Sequence, residues 1–221
     1  MNATGLIIDG KVVACSKPVY NWNDHGMKFN VPKGARPRTK KINLIALHWT
    51  AGTGDGKAVY NVLTQRKLGI DFHIHSDGTI YQFSDPTVNV TFGQGAINDF
   101  SVGIECTNFG FLSDGQKNPD TKRKIVEQII KRRKIKVASF YPEQLSSILA
   151  VCDSLCVALQ IPKTVPGDNG MFYSNQLTDK QILEHKGVCG HLNVPKTTKV
   201  DPGNEPFEFL IKNGFGLQQI K

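Results

Sequence analysis

The sequence predicts an α/β layered domain, on three observations. Short apolar runs such as Leu44-Ile45-Ala46-Leu47 suit buried strands, and longer stretches with apolar side chains at helical spacing lie between them. No repeat or low-complexity tract interrupts this alternation, which is the pattern of helices layered on a sheet. The 221 residues suit one domain with room for an appendage, and 39% hydrophobic with 21% charged residues is ordinary for a globular chain.

The elements follow in order. Residues 5–15 read as two short strands around Asp9-Gly10, a hairpin turn signal. Residues 20–41 are polar and irregular, with Pro32, Gly34 and Pro37 among basic side chains. They read as an extension crossing the surface, so residues 1–41 are set apart from a main domain over 42–221. A strand is expected over 42–48, then a helix over 57–67, where positions 58, 59, 62 and 63 are apolar and Gly69 stops it. The runs 70–74 and 79–83 flank "HSDG" as a hairpin, and 101–106 is a further strand. Residues 111–138 carry a dense run of charge and look like an insertion. The best helix is 142–159: Leu145, Ile148, Leu149, Cys152, Leu155, Cys156 and Leu159 keep the period, with Pro142 at the start. A loop with Pro162, Pro166, Gly167 and Gly170 follows. Then come a short helix over 178–185, an apolar step at Val188-Cys189 and a last helix near 206–212.

Composition narrows the function classes. No apolar run approaches the roughly 20 residues of a membrane span, and the first residues lack the basic and apolar regions of a secretory signal. The expectation is synthesis in the cytoplasm and, for a protein acting outside it, some other route of release. Five cysteines without tight clustering argue for reduced thiols rather than a disulfide framework. Cys152 and Cys156 share a helix face and read as small core residues.

The net charge of +8 favours an anionic partner, whether nucleic acid, membrane or cell wall. Much of it sits in Lys117, Lys122, Arg123, Lys124, Lys131, Arg132, Arg133, Lys134 and Lys136, opposed by Glu127. That segment reads as a solvated helix face or, more sharply, as a polyanion contact.

Three side chains could share a metal. His48 stands where a buried strand opens into the loop "TAGTGDG", and His191 follows a short apolar step and Gly190. Asp201 lies ten residues further on, in a loop held by Pro195, Pro202 and Gly203. Two imidazoles and a carboxylate suit zinc, and three protein ligands leave a fourth position open, as in catalytic rather than structural sites.

The stretches "IALHWTAG", "DGTIYQ", "NDFSVGIE" and "GHLNVPKTTKVDPG", in this order, resemble the zinc-dependent N-acetylmuramoyl-L-alanine amidases and the related peptidoglycan-recognition proteins. The resemblance spans roughly residues 42–107 and 140–203. It implies a central mixed β-sheet flanked by helices, with Zn2+ held by His48, His191 and Asp201 in a groove at one sheet end. It also implies cleavage of the amide between the lactyl group of N-acetylmuramic acid and L-alanine. Glu105 matches the position of the general base and acid in the glutamate-using branch. Lys199 matches the lysine that stabilises charge on the carbonyl oxygen.

Two departures qualify the likeness. Other branches place a tyrosine ahead of a histidine before the "DG" turn. Here those positions are Ile70 and Asp71, or Phe72 and His73 in a shifted register, so the base duty falls to Glu105. The groove histidine upstream of "SIGIE" is replaced by "TFG", Thr91 to Gly93, which bears on stem-peptide or sugar contacts. His73 and His75 read as core or turn residues.

The competing classes are a non-catalytic peptidoglycan-binding module, disfavoured by the full set of His48, His191, Asp201, Glu105 and Lys199, and a nucleic-acid binder. The latter lacks a glycine-aromatic sheet motif or a helix-turn-helix, so no nucleic-acid partner is expected. The expected partner is peptidoglycan or a soluble muropeptide, met by a monomer whose basic segment contacts the anionic wall. A phage lysin is favoured over a muropeptide-recycling enzyme.

Overall fold

The computed structural model describes residues 5–30, 34–113 and 115–220. It begins with the hairpin β1 (Leu6–Ile8) and β2 (Lys11–Val13), then β3 (Val19–Tyr20), the one-turn helix α1 (Trp22–His25) and β4 (Ala35–Pro37). Next come β5 (Leu44–Trp49), α2 (Gly56–Gln65), β6 (Phe72–Ile74), β7 (Ile80–Gln82), β8 (Asn89–Thr91) and β9 (Ser101–Cys106). After them follow β10 (Ile125–Ile130), β11 (Arg133–Ala138), α3 (Pro142–Leu159), β12 (Thr164–Asp168) and β13 (Met171–Phe172). The chain closes with α4 (Asp179–Glu184), β14 (Gly187–Gly190), α5 (Glu205–Lys212) and β15 (Gly216–Gln219).

Six strands form the central sheet in the order β14-β5-β9-β6-β7-β3. β5, β9, β6 and β14 run parallel and β7 turns back against β6, so the sheet is mixed. β5 is buried along its whole length, which explains why it reads as a continuous apolar run. Period-two alternation then sorts its side chains: Ile45 and Leu47 face the core under α3 and α5, while Leu44 and Ala46 face the layer containing α4. His48 continues the second set. Val102 and Ile104 of β9 and Phe72 and Ile74 of β6 obey the same parity, which leaves Glu105 and His73 on the face of His48.

α3 begins at Pro142 in the first turn and ends where Gln160 adopts the left-handed conformation (φ 55). Its length and hydropathy would suffice for a membrane span, yet Leu145, Ile148, Val151, Cys152 and Leu155 are packed on the sheet. Each fully buried aliphatic side chain contributes about 1.5–3 kcal/mol. Cys152 and Cys156 belong to this core.

The N-terminal stretch is tied into the sheet. β3 pairs in parallel with β7, and the side-chain amide of Gln82 bonds both Ile7 N and Ile7 O at 2.8 and 2.7 Å. Arg38 Nη1 and Nη2 donate to Asp99 O (2.6 Å) and Ser101 O (2.9 Å) at the foot of β9. β4 pairs with β8. Pro32, read as part of the irregular stretch, lies outside the described residues.

The basic segment is not helical. It forms the antiparallel hairpin β10–β11, with Ile125 opposite Ala138 and Ile130 opposite Arg133. Its buried Ile130 and Val137 pack with Trp49 and Leu192, which seats the hairpin beside the end of β5. Nor are all nine cations free: Arg123 is buried, Lys131 is half-buried and Lys134 pairs with Glu127 at 2.9 Å.

Candidate active site

Parallel pairing places His48 of β5 opposite Glu105 of β9, and β14 ends beside β5 with Gly190 opposite Leu47. The next residue, His191, therefore arrives next to His48. Asn193 fixes that turn: its Oδ1 accepts from Gly190 N at 2.9 Å, and its Nδ2 donates to Tyr173 O and Asn175 O at 2.9 and 2.8 Å. Asp201 is brought in by a backbone bond from Leu192 N to Asp201 O of 2.9 Å.

Three side-chain atoms converge. His48 Nδ1 lies 3.1 Å from His191 Nδ1, His191 Nδ1 lies 3.1 Å from Asp201 Oδ2, and His48 Nδ1 lies 3.4 Å from the same oxygen. Tetrahedral zinc with bonds of about 2.0–2.1 Å separates its ligand atoms by about 3.3 Å. Three acceptor edges facing one another at such distances are satisfied together by a cation, so the residues fit the metal. Among the described residues this is the cluster of histidine, cysteine and carboxylate side chains able to hold one.

The electrostatics agree. Burial keeps the His48 imidazole below its ordinary pKa and so neutral, the form that ligates, against the opposing pull of Asp201. Burial pushes the Asp201 carboxyl up, but the His191 and His48 imidazoles beside it more than reverse this and hold it well below the usual carboxylate range. Glu105 is pushed up to about 8, first by burial and then by the charge of Asp201, while Lys199 and Arg66 pull the other way. Two carboxyls in one cleft thus differ in acidity, Asp201 held below and Glu105 above the ordinary carboxylate range.

These groups line a cleft of about 740 Å³. Glu105 and Lys199 both open into it, Lys199 from an exposed loop. Arg66, at the end of α2, and Arg133 and Lys136, on β11, also line it; the sequence reading did not single out Arg66 and placed the other two in a wall contact, because only the tertiary fold brings these elements to the cleft. His73 is buried on the far side of Glu105, its Nε2 3.2 Å from Thr107 Oγ1, and burial drives its pKa down to about 3. His75 lies 3.4 Å from the same hydroxyl. Neither joins the His48 cluster.

The profile of the N-acetylmuramoyl-L-alanine amidase family matches residues 38–204. The chain belongs to that family. As a member it is an enzyme of the N-acetylmuramoyl-L-alanine amidase class, acting on peptidoglycan. No curated protein matches it. Among solved structures it resembles an endolysin amidase, LysCS, from Clostridium intestinale at 18% identity and a TM-score of 0.55, covering 91% of this chain and 97% of that one. The amidase AmiD from E. coli, solved with anhydro-N-acetylmuramic acid-L-Ala-D-gamma-Glu-L-Lys, matches at 18% identity and TM-score 0.53, covering 80% of this chain and 59% of that one. The Ph2119 endolysin of a Thermus scotoductus bacteriophage matches at 18% and 0.50, covering 89% and 98%. At these identities the likeness establishes the fold: a mixed sheet with flanking helices.

Proposed function

We propose that this amidase is a zinc hydrolase of the amide between the lactyl group of N-acetylmuramic acid and L-alanine, working as a monomeric phage lysin on the bacterial wall. The observation that carries the reading is the His48–His191–Asp201 triangle, with sides of 3.1, 3.1 and 3.4 Å, beside a carboxyl raised to about 8. The AmiD complex supports the bond assignment, since its ligand contains that muramic acid–alanine junction. The similarity to LysCS and the Ph2119 endolysin supports the lysin setting.

In this scheme His48, His191 and Asp201 would hold zinc, the converging Nδ1, Nδ1 and Oδ2 atoms being the available donors. Bound zinc supplies Lewis acidity toward a carbonyl and water of lowered pKa. Glu105 takes the proton of the attacking water and delivers it to the leaving alanine nitrogen, a double duty suited to a pKa near the working pH. Lys199, on the cleft wall, offsets the negative charge developing on the carbonyl oxygen.

Elemental analysis after zinc supplementation should find near-stoichiometric metal in the wild type and none in His191→Ala. Mass spectrometry of digested sacculi should find stem peptides with free L-alanine amino groups. A metal-free wild type, or products cut elsewhere, overturns the assignment.

A further inference from the structure

The turn of the β10–β11 hairpin runs against local preference. Its two central residues, Lys131 (φ 52) and Arg132 (φ 61), are both left-handed, between the paired Ile130 and Arg133. That is the turn type in which Asn-Gly is favoured, because a side chain crowds the backbone at positive φ. Such strain persists where the surroundings hold it, and it clusters at sites of function.

The contacts show what holds it. Lys131 N donates to Ser174 O at 2.9 Å, and Lys131 Nζ donates to Thr197 O at 2.7 Å, a charge-assisted bond. Three residues back, Gln128 Oε1 accepts from Asn204 N at 2.8 Å, and Asn204 Nδ2 donates to Ile129 O at 3.2 Å. Gly203, at φ 81, makes this approach possible: a β-carbon there would stand 2.9 Å from Gln128 Oε1. Thr197 and Asn204 bracket Lys199 and Asp201, and Thr197 Oγ1 accepts from Lys199 N at 3.2 Å.

We propose that the hairpin is a brace, in which Lys131 and Gln128 are positioning residues. They fix the 197–204 segment from both ends and so set Asp201 on the histidines and Lys199 on the cleft. The inference rests on the zinc reading of His48, His191 and Asp201. It removes Lys131 from the cations available to a wall polyanion, since its ammonium already serves a backbone carbonyl.

The strained turn supplies a test that separates positioning from general stability. The double variant Lys131→Asn/Arg132→Gly installs the favoured turn while deleting the amine. Its Tm, read on the chelator-treated, metal-free protein so that lost zinc does not itself lower it, should equal or exceed that of the wild type in the same state. Its zinc dissociation constant should weaken about tenfold or more, the scale of losing an outer support of a metal ligand. Its kcat on a soluble muropeptide should fall with KM little changed. Arg132→Gly alone should leave zinc affinity and kcat at wild-type values, and Lys131→Arg should recover most of the affinity. Gln128→Ala, outside the turn, should weaken zinc in the same sense.

Zinc affinity within twofold of the wild type in both the double variant and Gln128→Ala overturns the brace. So does a fall in the metal-free Tm of the double variant alongside its loss of zinc affinity, which would mark a merely structural turn. A wild type that binds no zinc at all overturns the site reading itself, and the brace with it; this arm is read independently of the variants.

Discussion

Replacing Arg123 by methionine should cost about 3–5 kcal/mol of stability, the scale of breaking a buried charged contact by deleting one partner. The side chain is 1% exposed. Its Nε lies 3.1 Å from Asp120 Oδ2 and its Nη1 2.7 Å from Ser139 O, while Nη2 lies within 3.1 Å of Ser76 Oγ, Thr107 O and Gln144 Oε1. The guanidinium also stacks 4.2 Å over the Tyr141 ring. A hydrogen bond to a charged group is worth about 1.5–3 kcal/mol, but these contacts share donors and do not add. Some acceptors keep other partners: Thr107 O retains Gln144 Nε2, and Asp120 retains the Tyr141 hydroxyl. Ser139 O loses its side-chain donor outright. Against a total of about 5–15 kcal/mol the loss is large, and for a chain of this size it corresponds to a fall in Tm of about 6–20 °C. Urea denaturation with an unchanged m-value is the assay, with exposed Lys124→Met as the reference. Arg123→Lys should recover little, because an ammonium cannot reproduce the planar fork. A loss under about 1 kcal/mol, or one equal to that of Lys124→Met, refutes the reasoning.

Three further outcomes are expected. Glu105→Gln should retain zinc and lower turnover by roughly 100-fold or more, and it should lose the acidic limb of the pH–rate profile. In the wild type that limb should fall between the ordinary value of 4.5 and the raised value of about 8, since a bound cation draws the pKa down; an unchanged profile in the variant would exclude Glu105 as the base. Asp71 is raised by burial from 3.8 to about 6, so the folded state holds its proton more tightly. Stability should therefore decline by about 3 kcal/mol in all as pH rises from about 3 to about 7, about 2 of it between about pH 4 and pH 6, relative to Asp71→Asn, in urea titrations at fixed pH; equal pH dependence of the two chains would refute this. Neutralising exposed Lys117, Lys122 and Lys124 should weaken sacculus binding at 0.1 M salt but not at 1 M, where the Debye length falls from about 10 to about 3 Å. It should spare cleavage of a soluble muropeptide, and loss on both substrates would count against a wall contact.

What could be read from the sequence depended on how local the signal was. The long helix was legible because Pro142 marks its start and seven apolar side chains keep one period to Leu159. β5 and β9 were legible as short apolar runs, and parallel pairing then put His48 beside Glu105. The β10–β11 hairpin was misread because Ile125, Val126, Ile129 and Ile130 also satisfy a helical spacing, and the Lys131-Arg132 turn carries no glycine or asparagine. Arg123 looked like one more surface cation, since only the fold reveals the carbonyls around it. β3 is two residues long, and β12 contains Pro166 and Gly167, so both pass for loop. Of the site, the candidate ligands could be named from sequence, whereas the groups that steady them could not. Gln128, Lys131 and Asn193 act through tertiary hydrogen bonds that leave no local pattern.

The two histidines of the cluster are 143 positions apart in the chain, joined only when β14 docks along β5. At a synthesis rate of about 5–20 residues per second, roughly 7–30 s separate the emergence of one from that of the other. Throughout that interval the β5 edge waits for its neighbour, and neither His191 nor Asp201 exists to complete the cluster. On the zinc reading proposed above, a ribosome-bound chain therefore lacks its metal site until Asp201 has emerged. The same reading makes hydrolytic capacity arise late, once β14 has docked along β5 and Asp201 has followed.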